Sequence, residues 1–427
     1  MSQVATPLRI GGTTVVRNRL YRAPVLEGAG SGPDAAENYA KAFVPNAEAG
    51  VGLIVQGNSC LFEEGRTSPG MTLVHTRDRV MALAPMVSAV HEAGAAIWLQ
   101  VGHGGLYAME VWHEPYASRR RGPVLAPSPV PLALRPSFRG VPVHVMTTDD
   151  VHAMARKYGD VAAWAREAGY DGIQLASANA KLLDQFLSPF YNRRTDEFGG
   201  SAERRASLLR VIRDAIGERA GWDFTCTVKV PVEKAPPLMP RTTFDEAMRV
   251  CELAQEWGFD SVTPVEVSVL PDTTLSRGGI PTSVWRNKSM RTRLERAAPS
   301  RVKRATLVAG YVAGGALAPF RPVWNRRLFT AAKARLSSIP VLAVGGIRTA
   351  DEVRSIVDGG EADLVGIGRP FYAEPDLAAR VLDGDPGPRL CRNSNLCVPA
   401  QMLGMKGVCY NPEVTRSRAG RSSARGT

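Results

Sequence analysis

Short, nearly continuous apolar runs alternate with amphipathic stretches along most of the chain. The runs are NRLYRAPV (18–25), VGLIVQGN (51–58), AAIWLQVG (95–102), YDGIQLAS (170–177), FTCTVKVP (224–231), FDSVTPVEV (259–267), PVLAVGGI (340–347) and DLVGIGRP (363–370). Between them lie RDRVMALAPMVSAVHEAG, TTDDVHAMARKYGDVAAWAREAG, AERRASLLRVIRDAIGE and TFDEAMRVCELAQEWG, whose apolar residues recur at helical spacing. Several of these open on Thr, Ser or Asp and close on Gly, the residues that cap helix ends. Apolar runs without polar alternation predict strands buried on both faces, as in a parallel sheet covered by helices. Eight such alternations predict an α/β fold, a closed parallel (β/α)8 barrel of the TIM type, with its chemistry at the C-terminal ends of the strands.

A chain of 427 residues that is 44% hydrophobic has ample material for such a core. The N-terminus MSQVATPLRIGG lacks the basic start and apolar run of a secretory signal. The apolar segment ATLVAGYVAGGALAPF (305–320) is shorter than the ~20 residues that span a bilayer. A cytoplasmic protein without membrane association is the expectation.

The net charge of +12 is concentrated in two places. Residues 273–325 hold ten Lys or Arg against one acid, Glu295, and residues 413–427 hold four Arg against Glu413, so the rest of the chain is close to neutral. No zinc-finger, RNP or helix-turn-helix pattern accompanies the charge, so no nucleic-acid partner is expected. The expected organisation is a barrel over 1–380 interrupted by a basic, solvated loop over 273–325, a Cys-containing extension over 381–412 and a disordered basic tail over 413–427. In barrel topology the 273–325 insertion emerges on the catalytic face, as a lid, an anionic-substrate clamp or a docking arm.

The seventh and eighth runs end in AVGGI and GIGRP, which place Gly345, Gly346, Gly368 and Arg369 where barrels of this kind hold a phosphate. Glycine lets backbone N–H groups approach an anion, and Arg369 adds a forked, charge-assisted contact.

With NRLYRAPV, GVGLIVQG, VHEAGAAIWLQVGHGG, LAPSPVP, AREAGYDGIQL, LLDQFLSPFYNRRTDEFGGSAERR and VGIGRPFYAEPDL in this order, the chain resembles the old yellow enzyme family of FMN-dependent oxidoreductases. The resemblance spans about residues 8–376, interrupted by the basic segment, and is nearer the 2,4-dienoyl-CoA reductase and trimethylamine dehydrogenase branch. It implies FMN across the barrel mouth with its phosphate on Gly346, Gly368 and Arg369, backbone contact from Pro24 and Val25, and Gly57 beside the ring. Gln100 would bind the pyrimidine edge and Lys229 would lie near N1 and O2, where a cation favours the anionic reduced flavin. NADH or NADPH is the implied reductant.

The family's substrate residues at the end of the fourth strand are His, then His or Asn, then Tyr; here those positions read Ala176, Asn179 and Lys181. Lys181 can donate the proton, pair with an anionic substrate group, or bend to solvent. His103 in QVGHGG matches the family and either contacts substrate or flavin or makes a structural hydrogen bond. In the longer relatives the segment corresponding to CRNSNLCVPAQMLGMKGVCYNP carries four cysteines on a [4Fe–4S] cluster. Cys391, Cys397 and Cys409 match three of these and Ser394 stands at the second. A [4Fe–4S] cluster with serinate or external ligation, a [3Fe–4S] cluster, and no cluster all stay open.

The expected activity is hydride exchange between flavin N5 and a small organic substrate. The alternatives are an oxidative dehydrogenase or demethylase passing electrons to a partner, and a flavin-binding electron carrier without turnover. A homo-oligomer is left open.

Overall fold

A computed structural model describes residues 2–416, apart from 121, 271–275, 281 and 389. Eight parallel strands form one sheet: β1 (Leu20–Arg22), β2 (Leu53–Cys60), β3 (Ala96–Gly102), β4 (Gly172–Leu175), β5 (Thr225–Lys234), β6 (Ser261–Ser268), β7 (Leu342–Val344) and β8 (Leu364–Ile367). The sheet order runs β6-β5-β4-β3-β2-β1-β8-β7. A parallel bridge between Val262 and Val341, with Val262 N–H donating to the Pro340 carbonyl at 3.3 Å, joins its two ends and closes the barrel. Every residue of β2 and β3 is buried, as expected for strands covered on both faces, including the polar Gln56, Asn58, Ser59 and Gln100 near their C-terminal ends.

The N-terminal hairpin, Leu8–Ile10 paired with Thr14–Val16, plugs the bottom of the barrel. Thr14 accepts the Trp98 indole N–H at 2.9 Å, and Thr225 donates to the Ile10 carbonyl at 2.9 Å. Ile10 and Val16 join Leu53, Val55, Trp98, Leu342 and Leu364 in one apolar cluster inside the barrel.

The outer layer includes α1 (Ala35–Glu48), α2 (Ala84–Glu92), α3 (Thr148–Glu167), α4 (Ala202–Ala220) and α5 (Phe244–Glu256). Thr147 and Thr243 close reciprocal capping boxes with Asp150 and Glu246 at the starts of α3 and α5. The sequence pattern at 77–94 predicts one helix, but the structure has two, Arg77–Met81 and α2. Pro85 has no N–H and is tolerated only in a first turn, so it restarts the helix there.

The 273–325 segment is not the expected loop. It folds into α6 (Lys288–Ala297), capped by Asn287, and α7 (Arg301–Leu317), capped by Ser300. Met290, Leu294 and Ala297 form the i, i+4, i+7 stripe that packs α6 on Ala400 and Leu403 of the C-terminal extension. The basic residues fill the remaining faces, which hid the helix behind its charge. The barrel resumes with α8 (Arg326–Arg335), α9 (Ala350–Asp358) and α10 (Leu377–Leu382), and the extension adds α11 (Val398–Met402). The tail expected to be disordered from 413 is helical over 412–416, and its remainder, 417–427, lies outside the described residues. No helix among the described residues is long and apolar enough to cross a membrane.

Candidate active site

The strand register places Gln100, Gln174, Thr227 and Ser261 abreast inside the barrel, with Lys229 and Thr263 one layer nearer the mouth. Gln100 Nε2 donates to Gln174 Oε1 at 2.8 Å. The β2–β3 ladder slips between Gln56 and Ser59, so Gly57 and Asn58 bulge at the strand end, a common device beside active sites. Gly57 lies flat on Gln100: a Cβ there would stand 2.6 Å from the glutamine Cβ. Gln174 Nε2, Ser261 Oγ, Thr263 Oγ1 and both side-chain polar atoms of Asn58 are buried without a hydrogen-bond partner. So much unmet polar capacity in one interior is costly unless a polar ligand meets it.

Two cations face this region. Burial, and then the neighbouring Lys181, push the Lys229 ammonium down to about 7. Burial pushes Lys181 down to about 8, against the pull of Cys60 and Asp184. Lys181 is partly exposed, and its charge is close enough to Lys229 to lower that group's value.

The loop that presents Lys181 is held tightly. Asn179 and Ala180 both adopt left-handed backbone, at φ 69° and 53°, which costs a non-glycine residue roughly 1–2 kcal/mol. Compensation comes from the following helical turn: Asp184 accepts the Ala180 N–H at 2.6 Å and Gln185 donates to the Ala180 carbonyl at 2.6 Å. The Asp184 carboxyl is itself raised well above its ordinary range, by burial and then by Glu233. Ala176 is buried, and its Cβ would stand 2.9 Å from a Cβ on Gly102.

Tyr107 and Tyr191 are committed elsewhere. Their hydroxyls meet at 2.6 Å, and Tyr191 donates to the Val269 carbonyl at 2.6 Å. His103 is buried, and its Nδ1 accepts the Gly105 N–H at 2.9 Å, so the proton resides on Nε2. That Nε2 faces Gly65, where a Cβ would stand 2.1 Å away, and Phe62 meets the ring edge-on. Burial pushes the imidazole down to about 4, so it is neutral at physiological pH. Nδ1 thus makes a structural hydrogen bond, while Nε2 is buried without a hydrogen-bond partner.

At the other side of the mouth, Gly345 and Gly346 adopt φ 117° and 76°. A Cβ on Gly346 would stand 2.6 Å from the Arg321 carbonyl and from the Trp324 ring. Arg277, Arg321, Arg348 and Arg369 gather here. Burial lowers the Arg277 and Arg369 guanidinium pKa values, with further lowering from Arg321 and Arg348 respectively. Arg369 donates to the Arg277 carbonyl at 2.8 Å and to Asn395, Arg277 pairs with Glu266, and Arg348 donates to the Cys391 carbonyl. The Trp324 indole N–H and Arg348 Nε are buried without partners. Pro24, Val25, Gly346 and Gly368 stay partly exposed beside them. The sequence pointed to the glycines and Arg369. It did not single out Arg277, Arg321, Arg348 or Trp324, three of which lie in the 273–325 segment that was read as a whole, without naming a phosphate contact in it. Arg348, two residues beyond the glycine pair, was the available signal.

The donor set fits FMN on these observations: unpaired polar atoms and two ammoniums for the ring, left-handed glycines, four guanidiniums and an unpaired indole N–H for the phosphate. The cysteine loop is different. Cys391, Cys397, Cys409 and Ser394 line one cavity of about 20 Å3, close to the size of one water. Burial pushes the Cys397 thiol up to about 12. Among the described residues no three His, Cys, Asp or Glu side chains are grouped to hold a metal ion. Three thiols and a hydroxyl around so small a space are not the four-thiolate set of a [4Fe–4S] centre.

The model of the NADH:flavin oxidoreductase / NADH oxidase family matches residues 3–291 and 317–386. The chain belongs to this family, that of the old yellow enzyme. The family match breaks at 292–316, inside the helical insertion. Among the relatives of this family member, the NADH oxidase of Thermoanaerobacter brockii is 30% identical over 379 residues, 87% of this chain and 50% of that one. The N,N-dimethylglycine/sarcosine dehydrogenase of Chromohalobacter salexigens is 26% identical over 418 residues, 96% of this chain and 52% of that one. The chain thus spans about half the length of these relatives. In fold it is similar to a 2-naphthoyl-CoA reductase, with a TM-score of 0.74 at 18% identity, covering 97% of this chain and 57% of that one. FMN and NAD(P)H are the cofactor and reductant of this family of oxidoreductases.

Proposed function

We propose that this chain reduces a small organic substrate whose activating group is anionic or carries a strongly polar carbonyl. The observation that supports this is the pair of desolvated ammoniums, Lys229 and Lys181, at the barrel mouth. FMN, when bound, supplies two-electron hydride chemistry. Gln100 would hold the pyrimidine edge, with Gly57, Pro24 and Val25 packing on the ring. Lys229 would neutralise the charge that reduction places on the ring's pyrimidine side. Gly345, Gly346, Gly368 and Arg369, with Arg348, would hold the phosphate.

The substrate's activating oxygen gains negative charge as hydride arrives at carbon. The Asn179 amide and the Lys181 ammonium would stabilise that charge, and Lys181 would deliver the proton that completes the reduction. A value near 8 suits both tasks, because the group is charged at neutral pH yet poised to release its proton.

The test is anaerobic. Purified protein carries FMN, loses its visible flavin band on addition of NADH or NADPH, and regains it with an α,β-unsaturated acid. Lys229→Met bleaches about 10²-fold more slowly, the scale expected for one lost charge-stabilising donor. A yellow protein that neither nucleotide bleaches would overturn the reductase reading, and bleaching by a secondary amine instead would favour the oxidative one.

A further inference from the structure

A groove of about 1030 Å3 lies between α6, the segment 63–69 that follows β2, and the helical turns 110–120 that follow β3. It is separate from the barrel mouth but built on the same face. Gly104 N–H donates to the Gly65 carbonyl and Met109 N–H to the Arg66 carbonyl, so the groove wall continues directly from the strand end that carries His103.

Six cations line it: Arg66, Arg119 and Arg120 on the barrel side, Lys288, Arg293 and Arg296 on the insertion side. None makes an ion pair within the described residues. Arg66 lies over the Tyr116 ring at 5.2 Å, and Arg120 donates to the Glu110 carbonyl at 3.2 Å. The acids of the groove are Glu63, Glu64 and Glu110, so the cations prevail, and the insertion wall carries no acid at all.

The floor adds groups of a different kind. Glu110 and His113 are 6% and 8% exposed, and Glu110 Oε2 and His113 Nδ1 both lack a hydrogen-bond partner. A buried carboxylate oxygen accepts from a hydroxyl or an amino group, whereas unpaired guanidiniums fork onto phosphate oxygens. A ligand that satisfies both carries phosphates and a hydroxyl- or amino-bearing ring, which describes a nucleotide. A groove of this volume holds a molecule of dinucleotide size.

We propose that this groove binds the phosphorylated nucleotide portion of a reactant whose other end reaches the barrel mouth. Two reactants share that chemistry, a nicotinamide dinucleotide and an acyl thioester on a phosphorylated adenosine carrier. The insertion supplies half the cations, and two of these, Arg293 and Arg296, lie in the 292–316 stretch that the family match does not cover. The inference rests on the flavin-oxidoreductase reading only for what happens at the reactive end.

The test uses FMN-loaded protein with NADH, NADPH and coenzyme A as separate calorimetric probes, for the wild type and for Lys288→Glu/Arg296→Glu. Both side chains are exposed and lie off the apolar stripe of α6, so flavin content and bleaching by dithionite should stay unchanged. The expected result is that one probe binds the wild type, that rising salt weakens it, and that the double variant loses on the order of 100-fold in affinity for that probe. Loss for the dinucleotides alone identifies the reductant's site, and loss for coenzyme A alone the substrate's. Equal binding by the two proteins, or no binding of any probe, overturns the proposal. Failure of flavin bleaching with nucleotide binding intact and charge-dependent would instead overturn the reductase reading and leave the groove assignment standing.

Discussion

Lys181→Ala lowers kcat by about 10²- to 10³-fold with a much smaller change in flavin content, measured as single-turnover reoxidation of the reduced protein. Charge stabilisation and proton delivery both rest on this ammonium, and the tyrosines that could replace it are tied to each other and to Val269. The pH profile gives a second readout. Protonated Lys181 is required, so the wild-type rate falls as pH rises through about 8. Lys181 is also the second cause of the lowered Lys229 value, so its removal moves the Lys229 titration upward from about 7.

The same shifts predict a stability effect. Both lysines titrate below their ordinary value near 10.5, so the unfolded chain binds more protons than the folded one over the window between. Stability therefore rises with pH across that window, and the opposing contribution is fully present below the folded values. Lys181→Met accordingly makes the flavin-free protein more stable at pH 7, the usual exchange between function and stability.

Glu27→Ala produces the largest loss of stability. Arg22 and Glu27 pair at 2.6 Å with side chains only 1% and 2% exposed, and the guanidinium lies between the rings of Phe43 at 4.8 Å and Tyr372 at 5.8 Å. Removing the carboxylate strands a buried charge, at a cost of about 3–5 kcal/mol, or a fall in Tm of roughly 3–6 °C for a chain of this length. The double replacement Arg22→Met/Glu27→Leu recovers most of it, because two apolar groups need no partner. Calorimetry on the three variants measures this, and a Glu27→Ala protein melting with the wild type would refute the assignment. The extension should loosen along with the barrel, since Gly407 donates its N–H to the Glu27 carbonyl and the Tyr372 hydroxyl is bonded to both Leu26 and Gln401.

The barrel was legible because it depends on local pattern. Runs such as AAIWLQVG have one physical solution, a strand covered on both faces, and capping threonines mark the helices on either side. Lys229 was legible for the same reason, as a charge inside an apolar run. What escaped depends on distant pieces meeting. Arg277, Arg348 and Arg369 converge from three strand ends, and no spacing along the chain announces that. Arg22 and Glu27 lie five residues apart, but their pairing matters only because Phe43 and Tyr372 bury it. In α6 an apolar stripe of three residues was outnumbered by its cations, so the segment read as solvated loop.

That stripe also sets the terms on which the fold could be re-engineered. Met290 and Ala297 of the insertion and Ala400 and Leu403 of the extension cover one another, more than 100 residues apart in the chain, while Ser283 and Leu396 stitch the same seam at 2.8 Å. Neither piece can be trimmed alone without leaving the other's greasy side facing water. A chimera that moves the insertion into another barrel of this family should therefore stay monodisperse only when the extension travels with it.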